Sequence, residues 1–225
     1  MEKCPLCQSF QLVHHVWPGK KSQLYKMPNE LFHCLNCDLH FKNSAHFLSS
    51  IDELKRYDTH VSGNDGHLQF LNQMLDASQL QLPAEFLKRD LQILDFGCGK
   101  NPHLAHEITK RGFMDVEFWD PFYFPEKKWS VEKKFDLIFV CEVAEHFNHP
   151  LTAWLEINQL LKKQARVVVK SMLITDGLDL QFWWYKNDPT HVVFYSPKNF
   201  EYLAQMFEWD VEYCDQKSLT ILKKR

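Results

Sequence analysis

The chain changes its hydrophobic rhythm twice. In residues 1 to about 45, apolar positions come in short β-like runs, 10–16 and 39–42, with Pro18-Gly19 set to turn between them. Over 51–57 and 66–82 they recur at helical spacing, with Leu68, Leu71, Met74 and Leu75 followed by Leu80 and Leu82. Ser62-Gly63-Asn64-Asp65-Gly66 separates these two helices; Asn64 or Asp65 is placed to cap the second, and Pro83 to end it or bend the chain. From residue 91 onward, short apolar runs alternate with helical patterns. Strands are expected at 91–95, 114–119, 135–141 and 165–172, and helices at about 102–111, 151–162 and 197–207. Two last runs, 209–213 and 219–222, form a terminal hairpin. The alternation predicts an α/β fold with a mostly parallel sheet and an antiparallel end. The organisation expected is a small unit at 1–45, a helical connector or lid at 46–90, and a main domain at 91–225.

Composition narrows the class. The chain has 225 residues, 45% of them hydrophobic, enough for one α/β domain and a small addition. A net charge of −3 argues against broad nonspecific nucleic-acid binding, which needs a basic face. No apolar stretch approaches the roughly 20 residues that span a bilayer, and Met-Glu-Lys-Cys-Pro lacks an apolar signal core. The expectation is a cytoplasmic protein with no membrane partner.

Four of the seven cysteines form two pairs, Cys4-Pro-Leu-Cys7 and Cys34-Leu-Asn-Cys37, with 26 residues between them. In a reducing compartment this points to metal rather than disulfides. Redox pairs usually stand alone beside a βαβ unit, whereas two pairs bracketing a hairpin-sized segment suit structural zinc on four thiolates. His14, His15, His33 and His40 are nearby, but four cysteines complete the set without them.

The densest signal is Leu91-Gln-Ile-Leu-Asp-Phe-Gly-Cys-Gly99. A buried strand climbs to Asp95, then Gly97 and Gly99 free the backbone for a tight turn and close approach to a ligand. Asp95 falls at the carboxyl end of the strand, where open α/β sheets bind ligands. A dinucleotide fingerprint would need a glycine where Pro102 stands.

With Asp120 ending the next strand, Phe135-Asp-Leu-Ile-Phe-Val-Cys-Glu-Val-Ala-Glu-His146, and Asp188-Pro-Thr-His-Val192 before Phe194-Tyr-Ser196, nearly the whole chain resembles a class I S-adenosylmethionine-dependent methyltransferase of the ubiquinone-type branch, in a Rossmann-like fold. Sugar C-methyltransferases with a cysteine-rich amino-terminal zinc module are similar. The resemblance implies S-adenosylmethionine bound by Asp95, Gly97, Gly99, Asp120 and Glu142, with Asp120 on the ribose hydroxyls. It implies His146 and His191 as catalytic groups facing the acceptor. Glu142, Glu145 and His146, expected on one face of a helical turn, resemble the metal-binding motif of ubiquinone-biosynthesis O-methyltransferases and small-RNA 3′-end methyltransferases. They are a possible second divalent site, for magnesium. Tyr57 and His60 are expected, on the resemblance, to close over the donor.

Two positions depart from the family pattern. The third glycine of the turn is Asn101, which tolerates the left-handed conformation. Only 14 residues separate Asp120 from Phe135, too few for a full crossover of about 30. The third strand is therefore expected to be reduced or absent, and the adenine contacts stay unassigned.

The aromatic patch Phe182-Trp-Trp-Tyr-Lys186 is a candidate acceptor wall, with at least one tryptophan expected in packing. Cys141-Glu142-Val143-Ala144 stands where base N-methylases carry Asn- or Asp-Pro-Pro-aromatic, which favours O- or C-methylation of a small molecule. Two other readings stay open. One is RNA methylation with the zinc unit gripping RNA, although residues 1–45 hold only five lysines against three acidic residues. The other is a non-catalytic scaffold that recruits a protein partner. Oligomeric state is not legible.

Overall fold

A computed structural model describes residues 2–17, 29–59 and 63–225. The Pro18-Gly19 turn and His60 lie outside the described residues. The element order is β1 (Leu12–Val16), β2 (Glu30–Cys34), β3 (His40–Phe41), α1 (Ser50–Asp58), α2 (Asp65–Gln81), β4 (Gln92–Phe96), α3 (His103–Lys110), β5 (Asp115–Trp119), β6 (Phe135–Cys141), α4 (Pro150–Leu160), β7 (Leu161–Lys170), β8 (Val193–Phe194), α5 (Pro197–Phe207), β9 (Trp209–Cys214) and β10 (Leu219–Lys224).

The main sheet has the order β5-β4-β6-β7-β10-β9. The first four strands are parallel, and β10 runs antiparallel to both β7 and β9. This is the Rossmann-like arrangement with a reversed terminal hairpin. Among the described residues no strand lies beyond β5, so the third-strand region is absent, as the short Asp120–Phe135 interval requires. A single bridge, Asp120 to Phe124, closes the turn in its place.

Hydrophobic spacing explains the helices. On α2, Leu71, Met74, Leu75 and Ser78 share one stripe and are buried, packing toward Leu104 and Ile108 of α3. Leu80, counted in the helical pattern, falls off that stripe and is 82% exposed. Asn64 caps the helix by accepting from His67 N. The helix expected over 151–162 stops at Leu160, and β7 begins at once. Gln164 takes a left-handed φ of 63° there, shifting the register against β6.

The second sheet, β1-β2-β3-β8, is antiparallel and joins the two ends of the chain. His40 and Phe41 pair with Phe194 and Val193. Cys4, Leu6, Cys34, Cys37, Leu39 and Phe41 lie in the same buried cluster as Trp154, Tyr195 and Phe200. Each large aromatic buried there is worth on the order of a few kcal/mol. The amino-terminal residues are thus built into the core that carries α4 and α5. No helix of the described residues is long and apolar enough to cross a membrane.

Candidate functional site

The glycine turn follows β4 because Gly97 and Gly99 take φ of 85° and 68°, conformations costly for residues with a Cβ. Gly97 N and Cys98 N both donate to Trp119 O, fastening the turn to β5. The two glycines serve different ends. A Cβ on Gly97 would lie 2.6 Å from both methyls of Val143, so that glycine makes room for protein. A Cβ on Gly99 would meet no heavy atom within 4 Å, so the turn faces open space there. Asn101 is not among the residues with positive φ, which corrects the left-handed role expected of it. The turn closes without a third glycine because His103 N donates to Asn101 O at 2.7 Å and α3 starts at once.

Asp95 is buried at the strand end and accepts from Ala105 N at 3.3 Å. Burial, with the charge of Asp120 adding to it, pushes its carboxyl up to about 7. Asp120 Oδ1 accepts from Phe122 N and Tyr123 N, and Oδ2 accepts from Gly99 N at 2.9 Å. Its capping role is therefore real, and of roughly four carboxylate lone-pair positions one is left for a ligand.

A second polar cluster is built where the ends of β6 and β7 meet residues 185–192. Glu142 takes a left-handed φ of 54° and sits before the short turn Ala144–His146. It therefore does not share a helical face with Glu145 and His146 as expected. The ligand atoms that converge, all within 4.8 Å, belong to Glu145, His146 and His191. Glu145 is fully buried. Its Oε1 accepts from the Tyr185 hydroxyl at 2.6 Å, while its Oε2 has no partner. The same hydroxyl lies 3.4 Å from Glu142 Oε2. Burial and the neighbouring Glu145 push Glu142 up to about 8.

His146 Nδ1 lies 2.9 Å from Thr190 O, and His191 Nδ1 lies 2.8 Å from Tyr185 O. A carbonyl only accepts, so both rings carry a proton on Nδ1, and Nε2 is the ring atom left for another partner. His146 Nε2 is 3.9 Å from Glu145 Oε1. Burial, then the neighbouring His146, push His191 down to about 3, leaving it neutral at ordinary pH.

Helix α1 covers this mouth. Tyr57 packs edge-on against Phe122 and His146 at 5.5 and 5.4 Å between ring centres. Lys100 and Tyr123 both donate to Asp58, and Arg56 pairs with Asp188 at 2.6 Å. Of the aromatic patch, Trp183 and Tyr185 are buried, while Phe182 and Trp184 stay exposed. Tyr185 is thus a site residue rather than a stacking wall. Sequence reasoning gave neither that hydroxyl bridge nor the α1 ion pairs, because both depend on contacts 40 or more residues apart in the chain.

The four amino-terminal thiols converge within 4.8 Å and none is in a disulfide. Cys4 to Cys37 and Cys7 to Cys34 are 3.5 Å apart. Tetrahedral zinc with bonds of about 2.3 Å sets sulfur atoms about 3.8 Å apart, so the donor set fits. The Cys37 thiol beside it pulls Cys4 down to about 6, and burial holds Cys34 up at about 11. Such crowding suits a bound cation.

The family described as methyltransferase domain matches residues 67–213. No curated protein matches the chain. Among solved structures, the plantazolicin methyltransferase BpumL in complex with S-adenosylhomocysteine is similar at 14% identity, over 81% of this chain and 93% of that one, with a TM-score of 0.52. An S-adenosylmethionine-dependent methyltransferase from Mesorhizobium loti is similar at 13% identity, over 66% and 96%, with a TM-score of 0.47. YcgJ from Bacillus subtilis is similar at 18% identity, over 62% and 68%, with a TM-score of 0.45.

Proposed function

Because this chain belongs to the methyltransferase domain family, and so is an S-adenosylmethionine-dependent enzyme, we propose that it methylates an oxygen or an acidic carbon of a small-molecule acceptor held beside Glu145, His146 and His191. The observation that carries this reading is the convergence of one ligand atom each from Glu145, His146 and His191 within 4.8 Å of one another, on a buried carboxylate that keeps one oxygen without a hydrogen-bond partner.

The donor lies across the glycine turn. Gly99 leaves space for it, Asp95 faces its ammonium group, and the one open position of Asp120 takes a ribose hydroxyl. Transfer is an in-line displacement: the bond from the methyl carbon to the acceptor forms as the bond to sulfur breaks, and the sulfonium becomes a neutral thioether. Positioning supplies much of the gain. The acceptor's proton passes to the ionised form of Glu142, whose carboxyl is raised to about 8, so the population of this base grows as pH rises toward that value. His146 and His191, expected as catalytic groups on the acceptor, serve in this reading as ligands rather than as proton carriers.

Glu145, His146 and His191 are the residues that would hold a divalent cation. Two imidazoles and one carboxylate suit a borderline ion of the manganese or iron kind better than magnesium. Such an ion supplies Lewis-acid polarisation of the acceptor. Their backbone partners aim the two Nε2 atoms, and Tyr185 fixes the carboxylate rotamer. Cys4, Cys7, Cys34 and Cys37 hold structural zinc.

Two experiments test the reading. S-adenosylhomocysteine should raise the melting temperature of the wild type and not of Asp120→Ala. Metabolite fractions incubated with S-adenosylmethionine and wild-type protein should yield a product heavier by one methyl group, and fractions with Glu145→Gln should not. A wild type with no donor-dependent shift would defeat the donor assignment.

A further inference from the structure

Lys42 belongs to the amino-terminal region, outside the residues that the methyltransferase domain matches, yet its side chain ends in the acceptor side of the site. It is buried, 7% exposed, and its Nζ donates to Asp188 O at 2.7 Å. That same carbonyl accepts from His191 N at 3.2 Å, which closes the turn 188–191. The turn is braced on its other side as well. The Asp188 carboxylate accepts from Thr190 N, Thr190 Oγ1 and Arg56 Nη2. The main chain of Lys42 continues the contact, with Lys42 N donating to Val192 O and Val192 N donating to Glu145 O at 2.8 Å.

This turn aims both imidazoles. Thr190 O receives the Nδ1 proton of His146, and Tyr185 O, five residues before Thr190, receives that of His191. A rotation of the turn withdraws one acceptor and shifts the backbone of the other ring. The upstream end of Lys42 is equally fixed: β3 pairs with β8, Asn199 Nδ2 donates to Cys37 O at 2.7 Å, and Ser196 donates to Asp38. The path from the cysteine cluster to the two histidines is therefore continuous hydrogen-bonded backbone, with Lys42 Nζ at the point where it meets the turn. Burial pushes the Lys42 amine down to about 7, so charged and neutral forms are both present near neutral pH; either donates an N–H to the Asp188 carbonyl, the charged form more strongly.

We propose that Lys42 is a positioning residue for the acceptor-side pair: its Nζ pins the 188–191 turn, so that the amino-terminal region sets the orientation and tautomer of His146 and His191. The proposal rests on the reading of those histidines as the acceptor-side pair, and its test needs no acceptor.

The experiment uses full-length, zinc-loaded protein carrying 15N-labelled histidine. Long-range proton–nitrogen spectra report which ring nitrogen bears the proton. Wild type should show His146 and His191 as Nδ1–H, assigned by His146→Gln and His191→Gln. Lys42→Met should lose the fixed Nδ1–H signature of at least one of the two, while zinc content and affinity for S-adenosylhomocysteine remain those of wild type. If Lys42→Met does not fold, Lys42→Gln, shorter and uncharged, carries the same expectation. Retention of both signatures overturns the proposal, even if the melting temperature falls, because it reduces Lys42 to a packing role. Loss of homocysteine-derivative binding together with the signatures also overturns it, since the residue then supports the fold at large. A wild type that fails to bind S-adenosylhomocysteine while keeping both signatures breaks the donor reading and leaves the Lys42 result to stand on the spectra.

Discussion

The Tyr185 hydroxyl stands 2.6 Å from Glu145 Oε1 and 3.4 Å from Glu142 Oε2, one donor between a buried carboxylate and a half-buried one. Burial, and then the charge of Glu145, push the Glu142 carboxyl up to about 8. Tyr185→Phe removes the donor and leaves Glu145 without a hydrogen-bond partner on either oxygen. The expected cost is about 1–3 kcal/mol of stability, read by urea denaturation. A variant as stable as wild type would show that the carboxylate finds another partner.

Gly97 and Gly99 should respond differently to alanine. Gly97→Ala pays for both the left-handed φ and the collision with Val143, and a loss of roughly 2–4 kcal/mol follows. Val143→Ala in the same chain should recover part of it. Gly99→Ala meets no neighbour and should cost only about 1 kcal/mol, yet its methyl occupies donor space, so affinity for S-adenosylhomocysteine should fall well below that of wild type in calorimetry.

The donor's affinity should depend on pH through Asp95. Its folded carboxyl is raised to about 7 from an ordinary value of 3.8. Between those values the native state keeps a proton that the unfolded state has lost, so this group's contribution to stability is present at low pH and is lost as pH rises toward about 7. A donor ammonium group favours the ionised form, so binding should tighten as pH rises from 5.5 to 7.5 (roughly tenfold, about one unit of linkage). Asp120, which faces Asp95, adds to the raised value. Asp95→Asn should abolish both slopes.

Losing the proposed zinc should disturb more than the loops that carry the four cysteines. Cys4, Cys34 and Cys37 share a buried cluster with Trp154 and Tyr195. Cys34→Ser should lose stoichiometric zinc in elemental analysis and lower the melting temperature by several degrees (a ligand's worth of about 2 kcal/mol or more). Zinc loss with an unchanged melting temperature would mean that packing alone holds the region.

Local pattern carried much of this architecture. The apolar run to Asp95, the alternate glycines and the 135–141 run each lie within one element, where period and turn chemistry are readable. The missing third strand was readable as arithmetic, since 14 residues cannot make a crossover. The cysteine spacing brought four thiols together as expected. Features made by distant segments were not readable. The pairing of His40 with Phe194 is two residues deep and spans most of the chain, too short to leave a periodic trace. The positive φ of Glu142 turned it off the face that Glu145 and His146 share with His191, and no residue type announces that. Asn101 was given a left-handed role from propensity alone, and the early start of α3 made it unnecessary.

Calorimetric titration of S-adenosylhomocysteine tests the donor site most directly. Binding should saturate at one molecule per wild-type chain and be severely weakened in Asp120→Ala, whose substitution removes the carboxylate proposed to take a ribose hydroxyl and the bond that draws in Gly99. No heat of binding with correctly folded, zinc-loaded wild type, or equal affinity in the variant, would contradict a nucleoside lying across this turn.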